Sequence, residues 1–322
     1  METNFYFAKF KFILKAVDTI HLPYYKGSTF RGGFGSTFKK VACCTHKKDC
    51  SDCLLKDKCS YSYIFETPPP SDTKLMRKYP YAPHPFIIEP PMEDKREYKP
   101  ESLLNFNLIL IGKAIDYLPY FVYTFDELGK VGVGRGRGKY ELVEVKGFES
   151  LNPVKEKVIY SNKDKLLKNV DANIYWNDIV EIDSSQLSNL NSISLSFLTP
   201  TRIKYKERLV KELQFHTLIR SLLRRISLLS YFHCSEELDI NFKEIIEESE
   251  KVKVKESSLR WEDWERYSFR QDTRMKLGGF KGSITFEGNL SQFLLYISLG
   301  EYIHIGKNTA FGLGKYEISN NL

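Results

Sequence analysis

The sequence contains no run of eighteen apolar residues, which argues against a membrane-spanning helix. Its N-terminus carries Glu2 and alternates aromatic with polar residues. It lacks a basic start, a continuous apolar segment and a small-residue cleavage pattern, so no secretory leader is expected and a cytoplasmic location is. No Gly-Lys-Ser/Thr follows a glycine at the four-residue gap of a P-loop, which disfavours a nucleotide-binding enzyme. Histidine is scarce, six residues in 322, leaving few groups that titrate near neutral pH. Cysteine is equally scarce, but five of its six residues fall between Cys43 and Cys59. In a reducing compartment such clustering suggests metal ligation rather than disulfides.

What is present suffices for two ordinary domains. Apolar residues make up 42% of the chain, including 22 phenylalanines. The net charge of +7 suits a polyanionic partner, and suits equally a basic soluble protein with no such partner.

The strongest internal signal is a repeat. Gly134-Arg-Gly-Arg-Gly-Lys-Tyr-Glu141 and Gly306-Lys-Asn-Thr-Ala-Phe-Gly-Leu-Gly-Lys-Tyr-Glu317 both close on Gly-Lys-Tyr-Glu. Gly138 lies 26 residues after Gly112, and Gly314 lies 26 after Gly288. Each earlier glycine ends a strand-like run and opens a helix-like one. Such loops, at Gly134, Gly136 and Gly138 and again at Gly306, Gly312 and Gly314, expose backbone N–H groups that can hug a phosphate.

Read in order, strand-like alternation at Phe5–Ile13 leads to a helix from Gly27, with Ser28 as its expected N-cap and Phe30, Phe34, Phe38 and Val41 at helical spacing. Gly32, Gly33 and Gly35 in that helix imply a close neighbour, the packed sheet being the plainest. Tyr61–Phe65 reads as a strand, and residues 71–101 as a proline-rich excursion with one short apolar piece at Pro85–Ile88. Leu104–Leu110 alternates up to Gly112. Ala114–Leu128 reads as a helix broken or kinked at Pro119, and Tyr140–Val145 as the closing strand. The order β-α-β-β-α-β is ferredoxin-like. It recurs with a strand at Ile193–Phe197, a long amphipathic helix within Lys206–Phe232, weak strands near Lys251–Lys255, Ile284 and Phe286 placed before Gly288 as Leu108 and Leu110 are before Gly112, a short helix at Leu290–Leu299 and a last strand from Lys315. The expectation is an α+β chain of two tandem ferredoxin-like, RRM-like domains. They span residues 1–148, with the cysteine loop at 43–59, and 191–322, with the glycine loop at 306–314. Residues 149–190 form a connector with edge strands.

Basic residues accompany these elements: Arg31 and Lys39 on the first helix, Arg135 and Arg137 in the first glycine loop, Arg220 and Arg224 one turn apart on the long helix, and Lys307 and Lys315 at the second loop. Arg266, Arg270, Arg274 and Lys276 lie near Trp261, Trp264, Tyr267 and Phe269. Cations facing phosphates and rings stacking on bases suit RNA, whereas a solvated face paired with nearby glutamates is the bland alternative. Cys44-x5-Cys50-x2-Cys53-x5-Cys59 offers four thiolates for zinc or an iron–sulfur cluster, with Cys43 or His46 as substitute ligands. Cys234 reads as a small buried hydrophobe. Among the histidines, His216 and His304 read as structural, His233 as a helix-end cation, and His46, in a polar basic loop, as the best acid–base candidate.

These features together resemble the repeat-associated (RAMP) proteins of CRISPR systems, and among them the endoribonucleases that process precursor CRISPR RNA. The resemblance rests on the two ferredoxin-like units, on Thr199-Pro200 after the first strand of the second, and on the final Gly-Lys-x-x-x-Phe-Gly-Leu-Gly loop. Arg270-Gln271, Lys276-Leu-Gly-Gly, Lys281-Gly282 and Gly27 through Tyr61-Ser-Tyr-Ile-Phe-Glu66 resemble its cysteine-containing branch. The resemblance implies CRISPR repeat RNA or mature crRNA as partner, effector-complex subunits as further partners, and metal-independent cleavage. In that chemistry a 2′-hydroxyl attacks the adjacent phosphate, leaving a 2′,3′-cyclic phosphate and a 5′-hydroxyl. His46 takes the place of the family's histidine, after the first helix. Lys58 takes the place of an assisting lysine before the second strand. The alternatives are a non-catalytic RAMP subunit holding crRNA in an effector complex, and a metal-stapled adaptor docking through its cysteine loop.

Overall fold

The computed structural model describes residues 3–45, 50, 52–70, 72–76, 79, 81–151, 154–169, 171–179, 191–268 and 273–319, with the backbone alone for 266–268 and 273–276. It divides into two compact units, Phe5–Ile174 with Phe232–Ser235, and Met1–Asn4 with Tyr175–Tyr231 and Glu236–Leu322. Residues 149–174, read as connector, cluster with the first.

In the first unit the elements are β1 (Tyr6–Ala16), β2 (Ile20–His21), α1 (Gly27–Ala42), β3 (Phe86–Glu89), β4 (Glu97–Tyr98), β5 (Leu103–Ile111), α2 (Leu118–Val131), β6 (Tyr140–Leu151) and β7 (Val154–Ser161). The antiparallel sheet runs β3-β5-β1-β6-β7. Without the β7 edge strand this is the ferredoxin-like order. Phe10, Phe12 and Leu14 alternate inward along β1 and are buried. Phe12 stacks on Phe106 of β5 at 4.9 Å, and Phe34 of α1 stacks on Phe121 of α2 at 4.7 Å. On the alternate positions of β1 the lysines are paired, Lys9 with Glu89, Lys11 with Glu156, and Lys15 with Glu101 and Glu141. That strand therefore presents a charge ladder rather than a stacking platform.

Several local expectations change. Tyr61–Phe65 is not a strand. Ser62–Glu66 forms one wide helical turn of π type. Tyr61 and Phe65, four apart, stack on each other at 5.3 Å, while Tyr63 turns to Tyr117 and His233. Helical i,i+4 pairing thus overrides the alternating pattern, and Thr67 at φ 47° ends the turn. The second strand is Phe86–Glu89, which pairs with β5 and is buried at every residue. Pro119 opens α2 instead of kinking it, following a 3-10 turn over Gly112–Tyr117. Proline suits a helix start because the first N–H groups lack intrahelical partners anyway. Ser28 lies inside α1, whose N-cap is Lys26.

After β8 (Ile174–Tyr175), the second unit holds β9 (Ser192–Thr201), β10 (Lys204–Tyr205), β11 (Arg208–Leu209), α3 (Phe215–Leu229), α4 (Phe242–Ser249), β12 (Lys253–Ser257), β13 (Arg260–Glu262), β14 (Glu265–Ser268), β15 (Thr273–Lys276), β16 (Gly279–Glu287), α5 (Leu294–Ile303) and β17 (Tyr316–Ser319). Its sheet order, β12-β16-β9-β17, is again ferredoxin-like. The long helix starts later than its hydrophobic spacing suggests. Lys206 and Glu207, both at positive φ, turn the chain into the β10–β11 hairpin first.

The repeat has a packing reason. Tyr140 and Tyr316, each two residues after its glycine, are buried. The Tyr140 hydroxyl donates to Phe125 O of α2 at 2.8 Å, and the Tyr316 hydroxyl to Ile297 O of α5 at 2.5 Å. A side chain at Gly129 would strike Tyr140, and one at Gly300 would strike Tyr316. The preceding lysine carbonyls are equivalent too. Lys139 O accepts from Val17 and Asp18, and Lys315 O from Leu198 and Thr199. Gly-Lys-Tyr-Glu therefore ties β6 to the end of β1 and to α2, and β17 to β9 and to α5.

Candidate nucleic-acid interface

The second glycine loop begins where α5 ends. His304, fully buried at φ 58°, turns the chain, and its Nδ1 lies 3.1 Å from Leu313 O. The loop is stitched to the end of β9. Thr199 Oγ1 donates to Gly312 O at 3.0 Å and accepts from the Lys315 N–H at 2.9 Å. The Lys307 N–H donates to Arg202 O at 2.9 Å. At Gly314 a Cβ would strike Ile305 O, so that glycine serves the loop's own closure. Arg225 of α3, buried, donates from Nε to Ile303 O at 2.8 Å. It caps the carbonyl end of α5, where a cation suits the helix dipole, and burial pulls its pKa below the usual arginine value.

This stitching gathers cations. Lys307 stands beside Lys204 and Arg202, and its pKa is lowered by partial burial of the ammonium group and then by those two charges, with Glu207 opposing. Lys307 and Lys204 are exposed, and Lys315 and Arg202 half-buried. Lys204 lies 3.6 Å from Glu207. Like charges held together form a site whose energy falls when an anion enters. Spacing along the chain links Lys307 to the glycine loop, but the partnership of Arg202 and Lys204 needs the β9 end to fold back.

The first glycine loop is a turn between α2 and β6. The Arg135 N–H donates to His21 O at 2.9 Å, and Val133 bridges Gly138. A side chain at Gly134 would strike His21 O, while Gly136 at the tip faces open space. Arg135, Gly136 and Arg137 are exposed, and neither guanidinium is in an ion pair among the described residues. This tip is the more open of the two loops.

Other candidate residues lie elsewhere. Arg31 stacks on Phe65 at 4.0 Å with Nη2 3.4 Å from His84 Nε2, and Lys39 lies over Tyr61 at 5.3 Å. Of the glycines beside them, Gly35 faces the Phe65 ring and Gly33 the Leu128 side chain of α2, while Gly32 faces open space instead of a close neighbour. Arg220 pairs with Glu250 at 3.3 Å, and Arg224 is exposed on α3. His46 and Arg270 lie outside the described residues. Lys58 is exposed on the 3-10 turn Lys56–Lys58, ahead of the Ser62–Glu66 turn instead of a strand. His84 and His233 are engaged, His84 with Thr67 at 3.0 Å and His233 with Tyr63 at 3.2 Å and Pro83 O at 2.8 Å. His21 is half exposed, with Nδ1 3.6 Å from Glu97.

Among the expected metal ligands, Cys50, Cys53 and Cys59 line one small pocket and Cys44 does not. Among the described residues no three His, Cys, Asp or Glu side chains already stand at metal-holding positions. No helix among the described residues is long and apolar enough to cross a membrane.

Comparison with known proteins places this geometry among relatives. Residues 5–172 match the AF_1859_N family model, described as an N-terminal domain, and residues 195–316 match the model of CRISPR-associated endoribonuclease Cas6. An uncharacterized protein of Archaeoglobus fulgidus is 27% identical over 303 residues, 92% of this chain and 93% of that one. A Thermus thermophilus Cas6 superposes with a TM-score of 0.55 at 15% identity, covering 98% of this chain and 99% of that one. A Cas6 product complex gives 0.57 at 15% identity over 97% and 99%. A chain of a partial Cas6-RT-Cas1–Cas2 complex gives 0.60 at 13% identity, over all of this chain and 47% of that longer one.

Proposed function

The chain is a Cas6/RAMP-type family member, and on that premise we propose that it binds CRISPR repeat RNA and cuts it without a catalytic metal. The observation that carries RNA binding is the crowding of Lys307, Lys204 and Arg202 on the stitched glycine loop. A phosphate there relieves their repulsion and meets the loop backbone. The exposed tip at Arg135 and Arg137 supplies further phosphate contacts. Phosphate contacts hold register and strand path, and sequence is read elsewhere.

Cleavage follows the family's chemistry. A base removes the proton of a 2′-hydroxyl as its oxygen attacks the adjacent phosphorus. The P–O5′ bond breaks, and an acid protonates the leaving 5′-oxygen, leaving a 2′,3′-cyclic phosphate and a 5′-hydroxyl. We assign the base to His46 and support of the phosphorane charge to Lys58. Catalysis draws on no cofactor.

The test is incubation of the full chain with repeat RNA in EDTA, with end-group analysis of the products. Cyclic-phosphate ends in EDTA support the reading. RNA binding with no cut, with or without added metal, replaces it with a non-catalytic crRNA-holding subunit. His46→Ala is expected to abolish cleavage and keep RNA affinity. Full activity in that variant moves the base to His21, whose backbone pairs with Arg135 of the first glycine loop.

A further inference from the structure

The cysteine segment is fixed at both ends by the core of the first unit. Cys43 follows α1 directly, its N–H donating to Lys39 O at 3.0 Å, and its extended backbone turns the chain away from the helix. Cys59 O accepts from the Tyr63 N–H at 2.9 Å, so it anchors the Ser62–Glu66 turn. The two ends are held together by aromatic packing, Phe38 of α1 against Tyr61 at 5.9 Å and Tyr61 on Phe65. Between them Cys50 and Cys53 sit on one turn, with the Cys53 N–H donating to Cys50 O at 3.3 Å.

Four cysteines border the same place. Cys43, Cys50, Cys53 and Cys59 line one small pocket together with Thr45, Lys56, Tyr61 and Ser62. Each of the four is half-buried, whereas Cys44 is exposed and lies outside the lining. Adjacent residues in an extended segment point in opposite directions, so Cys43 and Cys44 cannot both turn inward. All four thiols are free of disulfides. Several thiolates in one pocket are mutually unfavourable unless a cation joins them.

We propose that Cys43, Cys50, Cys53 and Cys59 bind one zinc ion as four thiolates, with Cys44 outside the ligand set. Four soft ligands from a Cys-x2-Cys turn and two anchored flanking positions match a closed tetrahedral site. The ion draws the Cys50–Cys53 turn inward onto Cys43 and Cys59, releasing the thiol protons as the four Zn–S bonds form. Lys39 and Lys56 offset part of the −2 charge of the tetrathiolate complex. The site staples the end of α1 to the Ser62–Glu66 turn, and its role is structural.

The proposal is tested on the full chain purified without chelator. Metal analysis is expected to give about one zinc per chain. The wild-type protein is then alkylated with iodoacetamide in the native state and mapped by mass spectrometry. Cys44 should label while Cys43, Cys50, Cys53 and Cys59 are protected, and a strong chelator should expose all four. Cys43→Ser should lose the zinc and Cys44→Ser should retain it. Should Cys43→Ser prove insoluble, the alkylation map and the tetrathiolate spectrum of the Co2+-substituted wild type decide instead. Labelling of Cys43 with protection of Cys44 overturns the ligand set. A metal-free chain that takes up no zinc on reconstitution, or a brown iron-containing one, overturns the proposal.

Discussion

Replacement of Lys307 by alanine tests the cation cluster most directly. The ammonium group sits beside Lys204 and Arg202, and its pKa is lowered by burial and by both charges. The protonated form is thus disfavoured in the unliganded fold, and a phosphate reverses that balance. Loss of one exposed ionic contact costs about 1 kcal/mol at most, roughly five-fold in Kd. The salt dependence is the sharper quantity. Binding to single-stranded RNA scales with salt as about −0.7 per neutralised phosphate, so one lost contact flattens the slope by about 0.7. Across a four-fold rise in salt the gap between wild type and variant then narrows about 2.6-fold. Fluorescence anisotropy of labelled repeat RNA over a salt series measures both quantities. The sign for stability is opposite to that for binding. A lowered lysine pKa means that the charge strains the unliganded fold below that pKa, and the strain is relieved as pH rises through it. Lys307→Ala should therefore melt no lower than wild type while binding more weakly, and RNA affinity should fall with rising pH sooner than for an ordinary lysine. Unchanged affinity and slope would refute a phosphate at this loop. A fall in melting temperature alongside affinity would make Lys307 a structural residue.

Three further outcomes test the framework around the sites. Gly35→Ala pushes a methyl group into the Phe65 ring and should cost about 1–3 kcal/mol in urea unfolding, as overpacking does. Tyr316→Phe removes the hydrogen bond to Ile297 O and should cost about 1 kcal/mol, as should Tyr140→Phe at the equivalent place in the first unit. Arg225→Ala leaves Ile303 O without its buried donor and should cost about 1–3 kcal/mol, with a loss of RNA affinity larger than the Lys307 variant shows, because the loop loses the support beneath it. Parity of the two affinities would separate Arg225 from the loop.

How far the sequence could be read follows from which constraints are local. The spacing from Gly112 to Gly138 and from Gly288 to Gly314 is legible because backbone conformation imposes it. Gly112 and Gly288 take positive φ where a strand must turn into a helix, and the later glycines precede β6 and β17, which must meet β1 and α2 in the first unit and β9 and α5 in the second. A one-residue change in either span would move Tyr140 or Tyr316 off its helix carbonyl. Repetition of the spacing therefore reports the fold, and the loops owe their glycines first to self-packing. On our proposal the phosphate site is a by-product of that packing, and it involves Arg202 and Lys204, which the motif does not contain. Non-local partners are where reading along the chain gives out. Tyr61, Tyr63 and Phe65 alternate as a strand would, yet among the described residues no neighbouring strand supplies their hydrogen bonds. The Cys59 carbonyl instead accepts from the Tyr63 N–H, and the two flanking rings stack on one face. Phe86–Glu89 is too short and too proline-flanked to announce itself, yet β5 has an open edge that it pairs. The same reasoning separates Cys43 from Cys44. Spacing treats neighbouring cysteines as near-equivalents, but the end of α1 turns only one of them toward the pocket. On our proposal the choice of ligand is thus made by the helix terminus, and the helix terminus is set by Phe38 packing on Tyr61.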